Sequence, residues 1–202
     1  MPIKILVVDD SATDRLIIQA MLQEYKVLTA TDGIEAMSLL QQHKDIDMII
    51  LDLNMPQMNG FEVLEKLKQD IAYEKIRCII LTNYDELDNE IRGLKAGAVD
   101  YIRKPVHMES LKARIDVHAE LLRVQRLLEE KIVEQSITFD ALFQQAPIGI
   151  AIFHNKNPMT ESGGLIIANP RYEEITGRNR DELIRLGWAG ITHPEDLLKE
   201  YD

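Results

Sequence analysis

Met48-Ile49-Ile50-Leu51 is an unbroken apolar run that stops at a carboxylate, Asp52, and opens into the loop Leu53-Asn54-Met55-Pro56. A short run without polar alternation is the pattern of a strand buried on both faces, and it needs a sheet covered on both sides. Such sheets are parallel and gather their ligands at the carboxyl ends of the strands. Asp52 stands at such an end. The pattern therefore predicts a rim carrying this carboxylate, and the rest of the sequence says what joins it there.

The same pattern recurs. Ile3-Lys4-Ile5-Leu6-Val7-Val8 ends in Asp9-Asp10, and Val27 to Ala30 forms a second strand. Cys78 to Leu81 ends in Thr82, and Val99 to Ile102 leads to Lys104-Pro105. Helical spacing fills the intervals: Leu16, Ile17, Met21 and Leu22 after a Ser11 cap, Ala36, Leu39 and Leu40 after Asp32-Gly33, then Phe61, Val63, Leu64 and Leu67. Leu87, Ile91 and Leu94 mark a fourth helix closed near Gly97, and this face is expected in the core. Strands alternating with helices predict an α/β doubly wound, five-stranded parallel sheet. In such a sheet Asp9, Asp10, Asp52, Thr82 and Lys104 meet on one rim.

Three carboxylates on one rim raise one another's pKa unless a cation joins them. A hard divalent ion with oxygen ligands relieves this, and Mg²⁺ suits a few carboxylates, a carbonyl and waters. Lys104 adds a movable positive charge and Thr82 a hydroxyl donor, which together describe a site for a phosphoryl group or similar anion. Asp52 at the centre is placed to attack phosphorus as a nucleophile.

Composition narrows the function classes. A net charge of -11 over 202 residues argues against a general nucleic-acid or anionic-membrane binder. The single cysteine, Cys78, lies inside an apolar run and is expected to be a buried thiol, so no disulfide framework exists. No apolar run approaches the ~20 residues of a membrane span. Met1-Pro2 leads directly into a strand, so no signal peptide is expected and a cytoplasmic location is. His43, His107, His118, His154 and His193 show no metal-ligand spacing.

Asp9-Asp10, Asp52 followed by Met55-Pro56 and Gly60, Thr82, Tyr101 and Lys104-Pro105 resemble the receiver domain of two-component response regulators, over about residues 1–125. The resemblance implies a flavodoxin-like sheet of order 2-1-3-4-5 with Asp52 as phosphoacceptor. It further implies that Asp10, Asp52 and the main-chain carbonyl of Asn54 ligate Mg²⁺, with Asp9 assisting through water. Lys104 would hold a phosphoryl oxygen, Pro105 would follow a cis peptide bond, and Thr82 and Tyr101 would be the pair that moves on phosphorylation. The implied partner is a sensor histidine kinase or phosphotransfer protein. Asn83 and Tyr84 depart from the small residue that usually follows Thr82, and this bulk is expected to bear on how long the phosphoryl group lasts.

Three other readings are disfavoured. A haloacid-dehalogenase-type phosphatase needs a second Asp two residues after the nucleophile, where Asn54 stands. A dinucleotide-binding domain needs a glycine-rich loop where Asp9-Asp10-Ser11 stands. A receiver serving only as a docking platform would not keep every phosphorylation residue.

From His107 the helical pattern runs without Gly or Pro to about Phe143, a linker helix over 107–143. Val117, Leu121, Val124 and Leu128 follow the spacing of a coiled-coil seam before Lys131 and Gln135 weaken it. Two readings fit: a solvated amphipathic helix leaning on its own domain, or, as the sharper expectation, a parallel homodimer through residues 107–135. The last segment, 144–202, resembles the first part of a PAS sensory domain in its strand Ala146–Phe153, Asn169, Thr176-Gly177 and His193-Pro194-Glu195-Asp196. It ends before the three long strands that would complete a PAS sheet, so a truncated chain with a poorly ordered tail is expected. With the one cysteine elsewhere, flavin–cysteine photochemistry is excluded there, and no cofactor is expected.

Overall fold

The computed structural model describes residues 2–83, 87–153, 165–186 and 190. Tyr84, His154, the Leu87 side chain and the His193–Asp196 motif lie outside the described residues, and so do the readings attached to them. Strands β1 (Lys4–Val8), β2 (Lys26–Ala30), β3 (Met48–Asp52), β4 (Arg77–Asn83) and β5 (Asp100–Lys104) alternate with helices α1 (Ala12–Met21), α2 (Gly33–Gln42), α3 (Gly60–Gln69) and α4 (Leu87–Ala96). Helix α5 (Met108–Gln145) follows, then β6 (Ala151–Phe153), β7 (Leu165–Ala168), α6 (Pro170–Thr176) and α7 (Arg180–Leu186). Spatial contacts divide the chain into Met1–Arg126 and Leu127–Asp202.

The first unit is a parallel sheet in the order β2-β1-β3-β4-β5. Alternation along the strands sorts its core into two layers. Leu6, Val8, Ile49, Leu51, Cys78 and Ile80 pack with α2 and α3, whereas Val7, Ile50, Leu81 and Ile102 pack with α1 and α5. All five residues of β3 are buried, as its apolar run predicts. Each burial of this kind contributes roughly 1.5–3 kcal/mol. Burial pushes the Cys78 thiol up to about 12.

Helix starts follow side-chain chemistry. Ser11 caps α1 by accepting from the Asp14 amide at 3.3 Å, and Asp32 caps α2 by accepting from Ile34 and Glu35. Asn59 and Glu62 form a reciprocal capping box at α3. The core face expected for α4 is corrected. Ile91 and Leu94 are exposed, and Glu90 is buried instead. The cause is Gly93: a Cβ there would lie 2.2 Å from Ile80 Cδ1, so α4 sits on the sheet at its glycine and turns Ile91 and Leu94 outward.

Helix α5 presents Leu111, Ile115, Ala119 and Leu122 to the sheet. Polar contacts fix it there. Tyr25 donates to Asp116 at 2.7 Å, and Arg126 pairs with Asp47, whose other carboxylate oxygen accepts from the Lys4 amide at 2.9 Å. His118 is structural: its Nδ1 accepts from Arg77 Nε at 3.3 Å and its Nε2 faces Asp100 at 3.4 Å. From Leu127 to Leu142 every residue of α5 is exposed. In the second unit β6 and β7 pair antiparallel, and Gly177 ends α6 at a φ of 65° in the left-handed region.

Candidate functional site

The rim at the carboxyl ends of β1, β3 and β5 assembles four charged side chains. Asp9 follows β1 and is fully buried, and its Oδ1 accepts from the Ser11 amide at 2.8 Å. Asp52 closes β3 at 3% exposure, with its Oδ1 accepting from the Asn54 amide at 3.2 Å. Lys104 closes β5 and reaches across the sheet, its Nζ donating to Asp52 Oδ2 at 2.7 Å and to Asp9 Oδ2 at 2.9 Å. Asp10 is exposed at the mouth. Carboxylate oxygens of Asp9, Asp10 and Asp52 lie within 4.8 Å of one another.

The electrostatics follow from this crowding. Burial pushes the Asp52 carboxyl above its usual range, against the pull of Lys104, and Asp9 adds to the rise. Burial works against the Lys104 ammonium, yet Asp52 and Asp9 beside it raise its pKa above the usual lysine value. Lys104 thus pairs with two of the three carboxylates gathered there. An all-oxygen donor set with one member open to water fits a hard divalent ion, which would complete the neutralisation that Lys104 begins.

Thr82 is fully buried at the end of β4, one residue beyond Leu81, the register partner of Asp52. Its hydroxyl donates to the Asn83 carbonyl over a long 3.4 Å. Asn83 is exposed beside it. Tyr101 pairs in register with Ile80, two residues before Thr82, so strand alternation puts Tyr101 and Thr82 on the same sheet face. Tyr101 is half-buried against the α2–α3 layer. The peptide bond between Lys104 and Pro105 is cis, in accordance with expectation.

Some participants are not singled out by sequence reasoning. Arg15 Nη1 donates to the Asp9 carbonyl at 2.6 Å, holding the chain turn on which Asp9 sits. Glu90 of α4 takes a second bond from Arg103 at 3.0 Å in a paired ion contact. The Arg103 guanidinium holds the Glu90 carboxyl below its usual range, and a hydrogen bond from Tyr101 contributes. Arg103 carries one usable signal: it precedes Lys104, so alternation must send it to the Tyr101 face. Nothing in the spacing marks Glu90.

Residues 5–116 match the family described as the response regulator receiver domain. The chain is 31% identical over 180 residues to a Vibrio cholerae protein named "Probable cyclic di-GMP phosphodiesterase", covering 85% of this chain and 40% of that protein. It is 40% identical over 116 residues to a Campylobacter jejuni chemotaxis protein CheY homolog, covering 56% of this chain and 89% of the relative. Among solved structures, the Vibrio cholerae chemotaxis protein CheY4 superposes with a TM-score of 0.54 at 33% identity, covering 57% of this chain and 98% of that one. The chain therefore spans well under half of the first relative and most of the second.

Proposed function

The chain belongs to the response regulator receiver domain family, a regulatory module of phosphorylation-dependent signalling, and on that premise we propose that Asp52 is its phosphoacceptor. The observation that carries this is the buried Asp52 carboxylate, held at one oxygen by Lys104 and at the other by the Asn54 amide. A carboxylate oxygen of Asp52 attacks the phosphorus of a phosphohistidine on a kinase or phosphotransfer protein. A P–O bond forms, the P–N bond breaks, and the imidazole leaves with the electron pair and takes up a proton. Lys104 moves from Asp9 and Asp52 onto a phosphoryl oxygen, and the Thr82 hydroxyl exchanges its long bond to Asn83 for another. Tyr101 then turns into the space vacated by Thr82, which biases α4, β5 and the start of α5 toward a second packing. Asn54, rather than an acid, stands where a haloacid-dehalogenase-type hydrolase needs its second Asp, and no comparison favours that reading.

Asp9, Asp10, Asp52 and the main-chain carbonyl of Asn54 would hold Mg²⁺, which when bound neutralises charge on the transferring oxygens. Added Mg²⁺ should then raise the thermal midpoint. A hundredfold excess over Kd is worth about 2.7 kcal/mol, several degrees for a unit of this size. Scanning fluorimetry of wild type and Asp10→Asn checks this, and an equal rise in both would remove Asp10 from the ligand set.

Signal passage is proposed along α5, taking 1–125 as the receiver, 107–143 as the linker helix and 144–202 as a partial PAS domain. Supporting the last is the Asn169 cap, the Gly177 terminus of α6 and the antiparallel β6–β7 pair. Supporting a parallel homodimer through 107–135 is the exposure of Val117, Leu121, Val124 and Leu128 along one stripe. Light scattering after size exclusion should give a dimer for wild type and a monomer for the Val124→Glu, Leu128→Glu double variant. A wild-type monomer at high concentration would remove the dimer. No helix among the described residues is long and apolar enough to cross a membrane. The first relative's name makes cyclic di-GMP turnover the output class to test in a longer chain.

A further inference from the structure

Helix α5 leaves its last four carbonyls without intrahelical partners, as every helix does. One of them, on Phe143, accepts from Asn169 Nδ2 at 3.0 Å. The same Nδ2 donates to the Ile148 carbonyl at 2.9 Å, while Asn169 Oδ1 accepts from the amides of Ile150 at 2.8 Å and Tyr172 at 2.9 Å. The Asn169 backbone amide also donates to the Ile150 carbonyl at 2.9 Å. Asn169 is fully buried, so one side chain caps the end of α5 and the start of α6 together and pins the strap between α5 and β6. The strap is tight: a Cβ on Gly149 would lie 3.0 Å from Ile175 Cδ1 and 3.1 Å from Tyr172 Cα. Phe143 is itself buried, with its ring stacked 5.5 Å from Phe139.

We infer that Asn169 is the positioning residue that couples the linker helix to the segment after it, so that a rotation or shift of α5 carries β6 and α6 with it. Every residue of α5 from Leu127 to Leu142 is exposed, and Phe143 is the first buried one after that span. The joint is independent of the phosphoacceptor reading. That reading supplies only the signal that travels through it.

Asn169→Asp tests the joint selectively. An Asp keeps the oxygen that caps α6 but turns the Nδ2 donor into an acceptor facing two carbonyls. Hydrogen exchange on the 202-residue chain should show residues 140–146 exchanging roughly tenfold faster, the scale of a lost buried hydrogen bond, with the Ile150 and Tyr172 amides, both held by the retained oxygen, still protected. Unchanged exchange at 140–146 would overturn the joint. If the variant folds poorly, nuclear magnetic resonance of the wild type decides: the Asn169 side-chain amide protons should be protected, and rapid exchange with water would overturn it. A second arm uses Mg²⁺ and acetyl phosphate, with phosphorylation verified by intact mass. Wild type should alter exchange at 148–152 and 165–176, and Asn169→Asp should keep the receiver's response while losing the downstream one. Persistence of the downstream response in Asn169→Asp overturns the coupling. Absence of a mass gain in wild type counts against the phosphoacceptor reading and leaves the first arm to judge the joint.

Discussion

Asp52→Asn, incubated with Mg²⁺ and acetyl phosphate, should show no phosphate-sized gain in intact mass, where wild type shows a complete one. The amide keeps shape and hydrogen-bonding reach but cannot attack phosphorus. Misfolding can be separated from chemistry by the sign of the stability change. Burial raises the Asp52 pKa, so its contribution to stability is fully present below the ordinary carboxylate value and is lost as pH rises through the folded value. At neutral pH without metal the ionised Asp52 therefore weighs against the fold, and Asp9 remains to pair with Lys104 in the variant. Asp52→Asn should consequently melt at or above the wild-type temperature at neutral pH, and the two should converge as pH falls toward the carboxylate range. A mass gain that persists in Asp52→Asn would sink the site assignment.

Gly60→Ala should be the most damaging single methyl group near the site. A Cβ at Gly60 would lie 2.4 Å from the Asp52 carbonyl oxygen and 2.8 Å from Leu53 Cα, both backbone atoms that cannot swing aside. The Gly60 amide donates to the Leu53 carbonyl at 3.1 Å, so α3 begins pressed against the turn that carries Asp52. Overpacking of this kind costs about 1–3 kcal/mol, a large share of the ~5–15 kcal/mol that holds a domain together. The expected outcome is a midpoint lowered by several degrees and slower phosphoryl uptake, because the displaced backbone is that of Asp52. Gly97→Ala is the contrast. Gly97 has a φ of 115° with open space around it, so the change costs stability through backbone strain and should leave uptake unchanged. Equal uptake rates for Gly60→Ala and wild type would show that the turn tolerates displacement.

The strand ends were legible because burial on both faces erases polar alternation, so each terminating polar residue stands out. Asp9, Asp52 and Lys104 could be brought together from that pattern alone, and their bonding distances match it. Helix α4 was not legible. Its apolar spacing points to Ile91 and Leu94, but contact with the sheet is set by the missing side chain of Gly93, and apolar periodicity is blind to an absent side chain. Glu90 escapes for a related reason, since a buried acid is recognisable only with Arg103 already folded beside it. Asn169 enters the sequence reading only within the PAS-like pattern, and its cap on α6 is seen in the fold. Its second duty, toward Phe143 twenty-six residues back, depends on a tertiary approach that spacing does not encode.

Cys78 has a practical consequence. Buried under α3 and α4 with its thiol pushed up to about 12, it is almost wholly protonated near neutral pH, and only a thiolate reacts at useful rates. A cysteine introduced on the exposed span of α5 would be the chain's single maleimide-reactive position without removal of the native one. Spin labels or dye pairs could then be placed one at a time along the linker, and distances between copies followed as the receiver changes state.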